Sequence, residues 1–474
     1  MTIAAEITPI ALAIALILPW LSGAIAVRAL VGPAPISLLL GHGFMLGQLL
    51  IVLLLLAWDF AGLHLAFTPI ALTLAALSGG VLLLYKPQVI WQKPHCSGRW
   101  SDILWLLPLI VFLGERGFTL TEELVLRPLF AWDAWMNWAP RSVVWFHHEA
   151  LTPFVLPEQW LAAPSESVAY TLGNPRANLY PPGVPLLLLW PMLAAGTHDH
   201  TLLYLPWLLL PFAASAALWG HLRQQHLPAP ICALAVFAFL SQPLVNTHTA
   251  LPGYADLWLA VAFGLGGMAL AQWQASGNGR WGLLAGALAL CCALFKVPGI
   301  GFALLLVAAG GLLVLRPPAR WLIYAGGAAF TLLIGGLLLG LHPHSAQFAA
   351  NHLVLNLPGP LPTLRLAPAP LLPLLWDSLF VFANWHLFWL LLAACLSTGL
   401  VLRGVESLQH VALPVFIAGF CLLLALFGLT HYFAQAVNGV TFDRTLLYVV
   451  PLGVYVAFAQ LALLWQSEPP AETP

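Results

Sequence analysis

Charged residues are scarce in this sequence: lysine, arginine, aspartate and glutamate together make up 7% of its 474 residues. Soluble domains carry roughly 25% charged residues, so this chain cannot cover itself with a hydrated surface. The 16 basic and 17 acidic residues nearly cancel, and no basic stripe favours nucleic acid as a partner. The composition therefore argues against a soluble enzyme and against a nucleic-acid-binding protein.

Cysteine is also rare, and its placement argues against a disulfide framework. Five of the six cysteines lie inside apolar runs, and Cys96 lies in a short loop. No pair has the spacing of a CxxC metal site. The first apolar run follows Glu6 and has no lysine or arginine before it, so it is predicted to be a retained span rather than a cleaved signal peptide.

The sequence is rich in long runs of apolar residues. Hydrophobic residues make up 61% of the chain, and the mean hydropathy is +0.91. A membrane core about 30 Å thick needs roughly 20 helical residues, and the apolar runs are continuous rather than alternating like those of a strand. The sequence predicts an all-α polytopic membrane protein with about 13 spans, at residues 8–27, 36–57, 65–85, 102–118, 201–221, 229–245, 255–273, 281–296, 299–315, 321–341, 376–401, 411–429 and 445–465.

The apolar segment 184–195 is not counted as a span. Its 12 residues cover about 18 Å as a helix, so it is predicted to be a juxtamembrane or re-entrant helix. Thirteen crossings then put the two ends of the chain on opposite sides of the membrane. One side receives nine of the 16 basic residues but only four of the 17 acidic ones, so it is predicted to be cytoplasmic. This places the N-terminus outside and the C-terminus in the cytoplasm. The outer side receives the turn at Lys296 and the loops 119–185, 246–256, 342–373 and 431–444.

The first outer loop carries the main candidate for chemistry. Its tryptophans recur at helical spacing, which predicts an amphipathic helix at the membrane interface: Trp132, Trp135, Trp138 and Trp145. Asp133 lies among them, where a carboxylate is poorly hydrated and suited to act as a general base. The alternative is an interfacial acid that pairs with Arg141 or Arg127.

Three further polar residues fall on the same predicted side. Lys296 lies at a break between two apolar helices, where its ammonium can bind an anion or extend to lipid headgroups. Arg444 begins the last span and can hold a phosphate or pair with Asp443. Asp256 begins a helix, where it can cap the helix or take part in chemistry.

Four segments are similar to motifs of the GT-C superfamily of polyprenyl-phosphate-sugar-dependent membrane glycosyltransferases, and they follow one another along the chain in the same order as in that superfamily. Residues 132–135 (WDAW) resemble the acidic motif of its first outer loop, with Ala134 where glutamate is common. Residues 180–190 (YPPGVPLLLLW) resemble its Tyr-Pro-Pro-Leu segment, and residues 294–299 (LFKVPG) resemble its Thr-Lys-Gly-Pro turn. Residues 444–451 (RTLLYVVP) resemble its closing Arg-Tyr-Leu-Leu-Pro segment.

The resemblance implies a GT-C-like fold with a large first extracytoplasmic loop that carries juxtamembrane helices. It also implies transfer of a sugar from a polyprenyl-phosphate donor to an extracytoplasmic acceptor, which is a lipid, a glycan or a protein. Asp133 is then the base of an inverting displacement, and Lys296 and Arg444 bind the donor phosphate. No cofactor or metal is predicted. The secondary candidates are Glu122, Glu123, Arg141, His147, Tyr180 and Asp256.

The predicted organisation has three parts and places the chain in a bacterial inner membrane. Residues 1–101 are a three-helix membrane module, residues 102–341 are the catalytic core with its outer loop 119–200, and residues 342–474 are a second outer loop with a three-helix module. Two other functions stay open. One is a lipid or polysaccharide transporter or flippase, and the other is a polysaccharide polymerase or ligase that uses a diphosphate-linked donor.

Overall fold

The computed structural model of the protein describes residues 8–85, 100–164, 166–315, 354–355 and 363–465. Within these residues, regular structure is helical apart from one antiparallel pair of two-residue strands, β1 (Val354–Leu355) and β2 (Leu364–Arg365). The predicted span 321–341, most of the predicted loop 342–373 and the acidic tail 467–474 lie outside the described residues. The helical class predicted from composition is confirmed.

The helices follow one another with short connections. In chain order they are α1 (Pro9–Val31), α2 (Ile36–Phe60), α3 (Phe67–Tyr85), α4 (Trp100–Leu126), α5 (Ala139–His148), α6 (Pro157–Ala162), α7 (Gly183–Ala195), α8 (Leu205–Gln224), α9 (Ala229–Leu240), α10 (Pro243–Ala250), α11 (Asp256–Ser276), α12 (Arg280–Phe295), α13 (Gly299–Val314), α14 (Leu372–Trp376), α15 (Phe388–Arg403), α16 (Ala412–Leu429), α17 (Phe433–Ala436), α18 (Thr441–Leu446) and α19 (Val450–Trp465). Two π-helical turns, Ala134–Trp138 and Asp377–Val381, interrupt this pattern.

Several helices can cross a membrane. In the part of the chain that the structure describes, seven are long and apolar enough, or eight if α9 and α10 form one broken span: Pro9–Val31, Ile36–Phe60, Phe67–Tyr85, Thr201–Gln224, Phe388–Leu408, Ala412–Leu429 and Thr441–Ala462. Four shorter apolar helices accompany them: Gly183–Ala195, Arg280–Phe295, Gly299–Val314 and Leu372–Val381. A helical membrane protein is confirmed, and the number of thirteen spans stays a prediction.

Two helices differ from the predicted spans. Helix α4 continues to Leu126, past the predicted span end at residue 118. The segment 229–245, predicted as one span, breaks at residues 241–242 between α9 and α10. Pro243 explains this break, because proline cannot donate a backbone hydrogen bond and disfavours helical backbone in the residue before it.

The chain forms two compact units that interleave along the sequence. The first comprises Met1–His221, Asn246–Leu259 and Leu290–Lys296, and the second comprises Leu222–Val245, Ala260–Ala289 and Val297–Pro474. The predicted division at residues 101 and 341 is a separate, sequence-based one and stays a prediction.

In the first unit, α1 packs against α2 through small residues. A Cβ atom built on Gly23 would overlap the Gly43 carbonyl oxygen, and one on Gly47 would overlap the Pro19 carbonyl oxygen. Small residues let helix backbones approach closely, which is a main source of helix association in membranes. Glycine at these positions is therefore required by the contact.

Helix α7, the segment predicted to be too short to cross, lies inside the first unit. Twelve of its 13 residues are buried, and it contacts α1, α2, α3 and α5. The indole N–H of Trp190 donates a hydrogen bond of 2.9 Å to the Ala15 carbonyl oxygen. A helix that is apolar on every side must be buried, so α7 is a core helix of its unit.

In the second unit, α19 occupies the core. In the span Thr441–Ala462, which contains most of α19, 94% of the residues in an apolar 18-residue stretch are buried. Helix α19 contacts α9, α15 and α16. A Cβ atom on Gly453 would lie 2.9 Å from ring atoms of both Phe388 and Phe416. The five cysteines that the structure describes are buried and carry no disulfide, as expected for small apolar core residues.

Candidate functional site

Asp133 lies near the start of a helix that runs from Trp132 into α5. The π-helical turn Ala134–Trp138 follows it directly, and Ala139 donates its backbone N–H to the Ala134 carbonyl oxygen. Pro140 comes next and has no N–H with which to continue a regular α-helical ladder. A π-helical turn adds one residue to the helix and is frequent at functional sites, so this local geometry changes the directions in which the side chains around Asp133 point.

The four tryptophans of this helix divide into two pairs. Trp132 and Trp135 are about half exposed, as predicted for an interfacial helix, whereas Trp138 and Trp145 are buried. The helix thus has one exposed and one buried pair of tryptophans, and its place at the membrane interface stays a prediction. Trp145 donates a 2.9 Å hydrogen bond to the Thr152 carbonyl oxygen, and Trp138 packs on the ring of Tyr180 at 5.2 Å between centroids.

The Asp133 carboxylate is half-buried and belongs to a chain of amide side chains. Asn137 donates from Nδ2 to Asp133 Oδ1 at 3.3 Å, and Asn174 donates from Nδ2 to Asn137 Oδ1 at 2.9 Å. Asn137 therefore holds the carboxylate from one side, and Asn174 holds Asn137 in turn. Sequence reasoning missed both asparagines, although Asn137 follows Asp133 by four residues, the spacing at which helical side chains meet.

Ala134, which replaces the glutamate common in the resembled motif, is completely buried. A Cβ atom on Gly253 would lie 2.5 Å from the Ala134 Cβ, and Gly253 has a φ of +89°. The backbone at residue 253 thus reaches the helix directly beside Asp133. A glutamate side chain would have no space at position 134, which leaves Asp133 as the acid of this segment.

Arg141, a secondary candidate, holds the Tyr-Pro-Pro segment in place. Its Nη1 donates to the Tyr180 carbonyl oxygen at 2.7 Å, and its guanidinium lies over the ring of Trp145 at 5.0 Å. Burial lowers the pKa of Arg141 to about 10, so the group stays protonated at neutral pH. Arg141 is a positioning residue for Tyr180, and its hydrogen bond engages the backbone of Tyr180.

Lys296 forms a buried ion pair with Asp256. The distance from Lys296 Nζ to Asp256 Oδ1 is 2.6 Å, and the two side chains are 18% and 1% exposed. Lys296 lies in the break between α12 and α13, where Pro298 precedes the new helix. The pair matches the two charges, as expected for charges removed from water. A role of Lys296 at lipid headgroups and a role of Asp256 as a helix cap stay predictions.

His248 is the third member of this cluster. Its Nε2 lies 3.9 Å from Asp256 Oδ2, and its side chain is 2% exposed. Sequence reasoning did not single out His248. The available signal was weak: residues 246–256 form a short polar run between apolar segments.

Direct contacts connect the segments around Asp133 and Lys296 within the first unit. Gly253 contacts Ala134 and lies three residues before Asp256. A Cβ atom on Gly183, which follows the Tyr-Pro-Pro segment, would overlap the Leu294 carbonyl oxygen just before Lys296. Four polar segments that are distant in sequence therefore converge.

The remaining secondary candidates form other contacts. Glu123 pairs with Arg127 at 2.6 Å on the exposed surface of α4, and Glu122 is exposed on the same helix. His147 is exposed and its ring lies 4.9 Å from that of His198. Among the described residues, no group of three or more histidine, cysteine, aspartate or glutamate side chains could hold a metal ion.

Arg444 belongs to the second unit. It lies in α18 beside Asp443, whose Oδ2 accepts a 2.9 Å hydrogen bond from Asn384 Nδ2. The meeting of Arg444 with Asp133 and Lys296 stays a prediction.

Comparison with known proteins gives no further guide. No family model, no curated protein and no solved structure matches this chain.

Proposed function

We propose that the protein is a membrane glycosyltransferase that moves a sugar from a polyprenyl-phosphate donor to an acceptor on the non-cytoplasmic face of a bacterial inner membrane. Its partners are the lipid-linked sugar donor, the bilayer and an acceptor lipid, glycan or protein. The helical membrane architecture supports this proposal. A polyprenyl chain is stabilised in the bilayer by about 0.8 kcal/mol per buried CH₂, so an enzyme that uses this donor must bind it at the membrane.

The observation that carries the proposal is the convergence around Asp133. A half-buried carboxylate directly before a π-helical turn lies beside the glycine turn at residue 253. That turn leads to Asp256 and its ion pair with Lys296. One acid available as a base and one cation close in the fold are the minimum that this displacement needs.

In the proposed reaction, an acceptor hydroxyl attacks the anomeric carbon of the donor sugar. The hydroxyl proton passes to the Asp133 carboxylate as the new carbon–oxygen bond forms. The bond between the anomeric carbon and the phosphate oxygen breaks, and its electron pair leaves with the phosphate. Attack opposite to the leaving group inverts the anomeric configuration and needs no covalent intermediate.

Lys296 is proposed to stabilise the departing phosphate, where negative charge develops. Asp256 fixes the position of its ammonium, so no reorganisation is needed during the reaction. The pair is neutral overall before the donor arrives, which lowers the cost of burying both charges. Arg444 is proposed as a second phosphate ligand.

The test is sugar transfer by purified protein in proteoliposomes supplied with radiolabelled polyprenyl-phosphate sugars and a membrane extract as acceptor. Asp133→Asn keeps the shape of the side chain but removes the base, so the rate should fall by about 10²–10⁴-fold. Glu158→Gln is the matched control, because Glu158 is exposed in α6, and it should keep the wild-type rate.

Retained turnover in Asp133→Asn would move the base to another residue. Absence of any labelled product from the wild-type protein, across all donors tried, would count against the glycosyltransferase itself.

A transporter or flippase is the second candidate, and one observation favours it. His42 of α2 and His221 of α8 are buried in membrane-spanning helices, with their Nε2 atoms 2.8 Å apart. Ionisable groups inside spans often mark proton pathways. Movement of a fluorescent lipid across the same proteoliposomes without any acceptor, lost in His42→Leu, would favour transport over transfer.

A further inference from the structure

Asp59 is an acidic residue in the last turn of the apolar helix α2. The helix dipole places partial negative charge at this end of a helix, so a carboxylate here is unfavourable unless a donor meets it. The Leu151 backbone N–H is that donor, at 2.7 Å from Asp59 Oδ1. Because Leu151 lies three residues beyond the end of α5, this bond joins the first helices of the chain to the end of the helix that carries Asp133.

The connection between α2 and α3 makes a second bond to the same turn. The Leu65 backbone N–H donates to the Glu149 carbonyl oxygen at 2.7 Å, and Leu65 is fully buried. Glu149 has a φ of +50°, and backbone strain of this kind persists where surrounding structure enforces it. Trp58 Nε1 donates to the His64 carbonyl oxygen at 3.0 Å, which holds the connection to α2. A fixed connection therefore holds the turn at which α5 ends.

Helix α7 forms an independent link between the first helices and α5. On one side, Trp190 bonds the Ala15 carbonyl oxygen of α1, and its ring lies 4.8 Å from the ring of Phe67, at the start of α3, between centroids. On the other side, the Ser142 hydroxyl of α5 donates to the Pro185 carbonyl oxygen at 2.7 Å. This last bond is buried, so breaking it would leave a polar group without a partner away from water.

Both links act on one continuous helix of the first unit. Residues 132–148 are helical throughout, with Asp133 near one end, Ser142 in the middle and the turn at Glu149 after the other end. Rigid helices carry a constraint along their length. We infer that α1–α3, together with α7, are the scaffold that positions the Asp133 carboxylate, and that Asp59 is a positioning residue.

This inference gives a role to the three helices that precede the four GT-C-like segments. Its catalytic consequence rests on the proposed function, because the position of Asp133 matters for rate only if Asp133 is the base. The scaffold itself does not rest on the reaction, and the two are measured separately.

The first experiment is hydrogen exchange of the full-length protein in nanodiscs, read by mass spectrometry. Asp59→Ala removes the acceptor of the Leu151 N–H, so peptides covering residues 149–152 should exchange about 10–100-fold faster. Exchange should also rise over residues 132–138, because amides exchange through local opening of a cooperative unit. Asp59→Asn, the matched control, keeps an acceptor oxygen at the same place and should recover most of the protection.

Ser142→Ala provides a second variant, which breaks the link through α7 and keeps Asp59. It should also raise exchange over residues 132–138, and it tests the scaffold where Asp59→Ala does not fold. Thermal unfolding in the same nanodiscs identifies the folded variants.

The second experiment is sugar transfer by the same variants. A small displacement of a catalytic group can cost about 10²-fold in rate, so Asp59→Ala should lower kcat by about 10–100-fold. The KM for the donor should stay near the wild-type value, because the proposed donor ligand Lys296 is held by Asp256. Asp59→Asn should restore most of kcat, which a general loss of folded protein would not explain.

Two results would overturn the scaffold. One is wild-type exchange over residues 132–138 in both Asp59→Ala and Ser142→Ala. The other is equal exchange in Asp59→Asn and Asp59→Ala, because an acceptor oxygen at residue 59 would then not hold the turn. A wild-type protein that transfers no sugar would count against the proposed reaction and leave the exchange results unaffected, so the two failures are distinguishable.

Discussion

Each of the two compact units has a carboxylate next to a π-helical turn, but the charged and polar groups around the two carboxylates differ. In the first unit, Asp133 precedes the turn Ala134–Trp138, and the nearby buried charges are matched: Asp256 pairs with Lys296 at 2.6 Å. In the second unit, Ser378 lies in the turn Asp377–Val381 and meets Asp443, which keeps one buried oxygen without a donor among the described residues.

The backbone turns of the two clusters also differ. The first unit uses a glycine, Gly253, where φ is +89°, and so avoids strain. The second unit uses Ala383 and His386 at positive φ. The first cluster therefore combines matched charges with an unstrained turn, whereas the second combines an unmatched carboxylate oxygen with a strained turn. The variants below test this difference.

The largest loss of stability is expected for Asp256→Ala, which removes the carboxylate that pairs with Lys296 in the first unit. Lys296 would be left largely buried without its carboxylate, and breaking one side of a buried ion pair costs about 3–5 kcal/mol. Thermal or denaturant unfolding of the protein in detergent measures this loss.

The double variant Asp256→Leu with Lys296→Met is the control for that measurement. It removes both charges, so most of the lost stability should return, while transfer of sugar should not. A single variant as stable as the wild type would show that the pair is not buried in the membrane-embedded protein.

A smaller effect is expected for Gly253→Ala, which disturbs the contact that brings residue 253 to Ala134. The new Cβ would lie 2.5 Å from the Ala134 Cβ, and overpacking of this kind costs about 1–3 kcal/mol. Gly62→Ala is the matched control, since Gly62 has a φ of +70° with open space around it.

Both glycine variants carry the strain of positive φ, and only Gly253→Ala carries the overlap. The difference between their unfolding free energies therefore isolates the contact. Equal losses of unfolding free energy in the two variants would contradict the close approach of residue 253 to Ala134, and residue 253 would then not belong to the proposed site.

The smallest effect is expected for Ala383→Gly in the second unit. Glycine adopts positive φ without penalty, so relief of strain should stabilise the unit by up to about 1 kcal/mol, partly offset by the entropy of the unfolded glycine. Lower stability in this variant would contradict the account of a strained, enforced turn.

Much of the fold was predictable, because the signals for it are local in sequence. Composition and run length predict a helical membrane protein, and the short, proline-punctuated segment 184–195 is helical, as predicted. Its place outside the spans stays a prediction. Burial of that segment was not predictable, since a short apolar helix has the same sequence at an interface as in a core. The C-terminal end of α4 was missed because the helix continues through the largely polar residues 119–123, where the apolar run stops. The break after α9 was missed because apolar residues resume directly after it.

The sequence alone determined that this chain is a bundle of apolar helices with a few polar residues concentrated near helix ends, because water and lipid sort side chains by local hydrophobicity. Only the tertiary structure decided which of those polar residues meet. Lys296 and Asp256 are 40 positions apart and Asn384 and Asp443 are 59 apart. Such pairs depend on which helices become neighbours, and packing sets that choice through contacts such as those of Gly253 and Gly183, which no local pattern encodes.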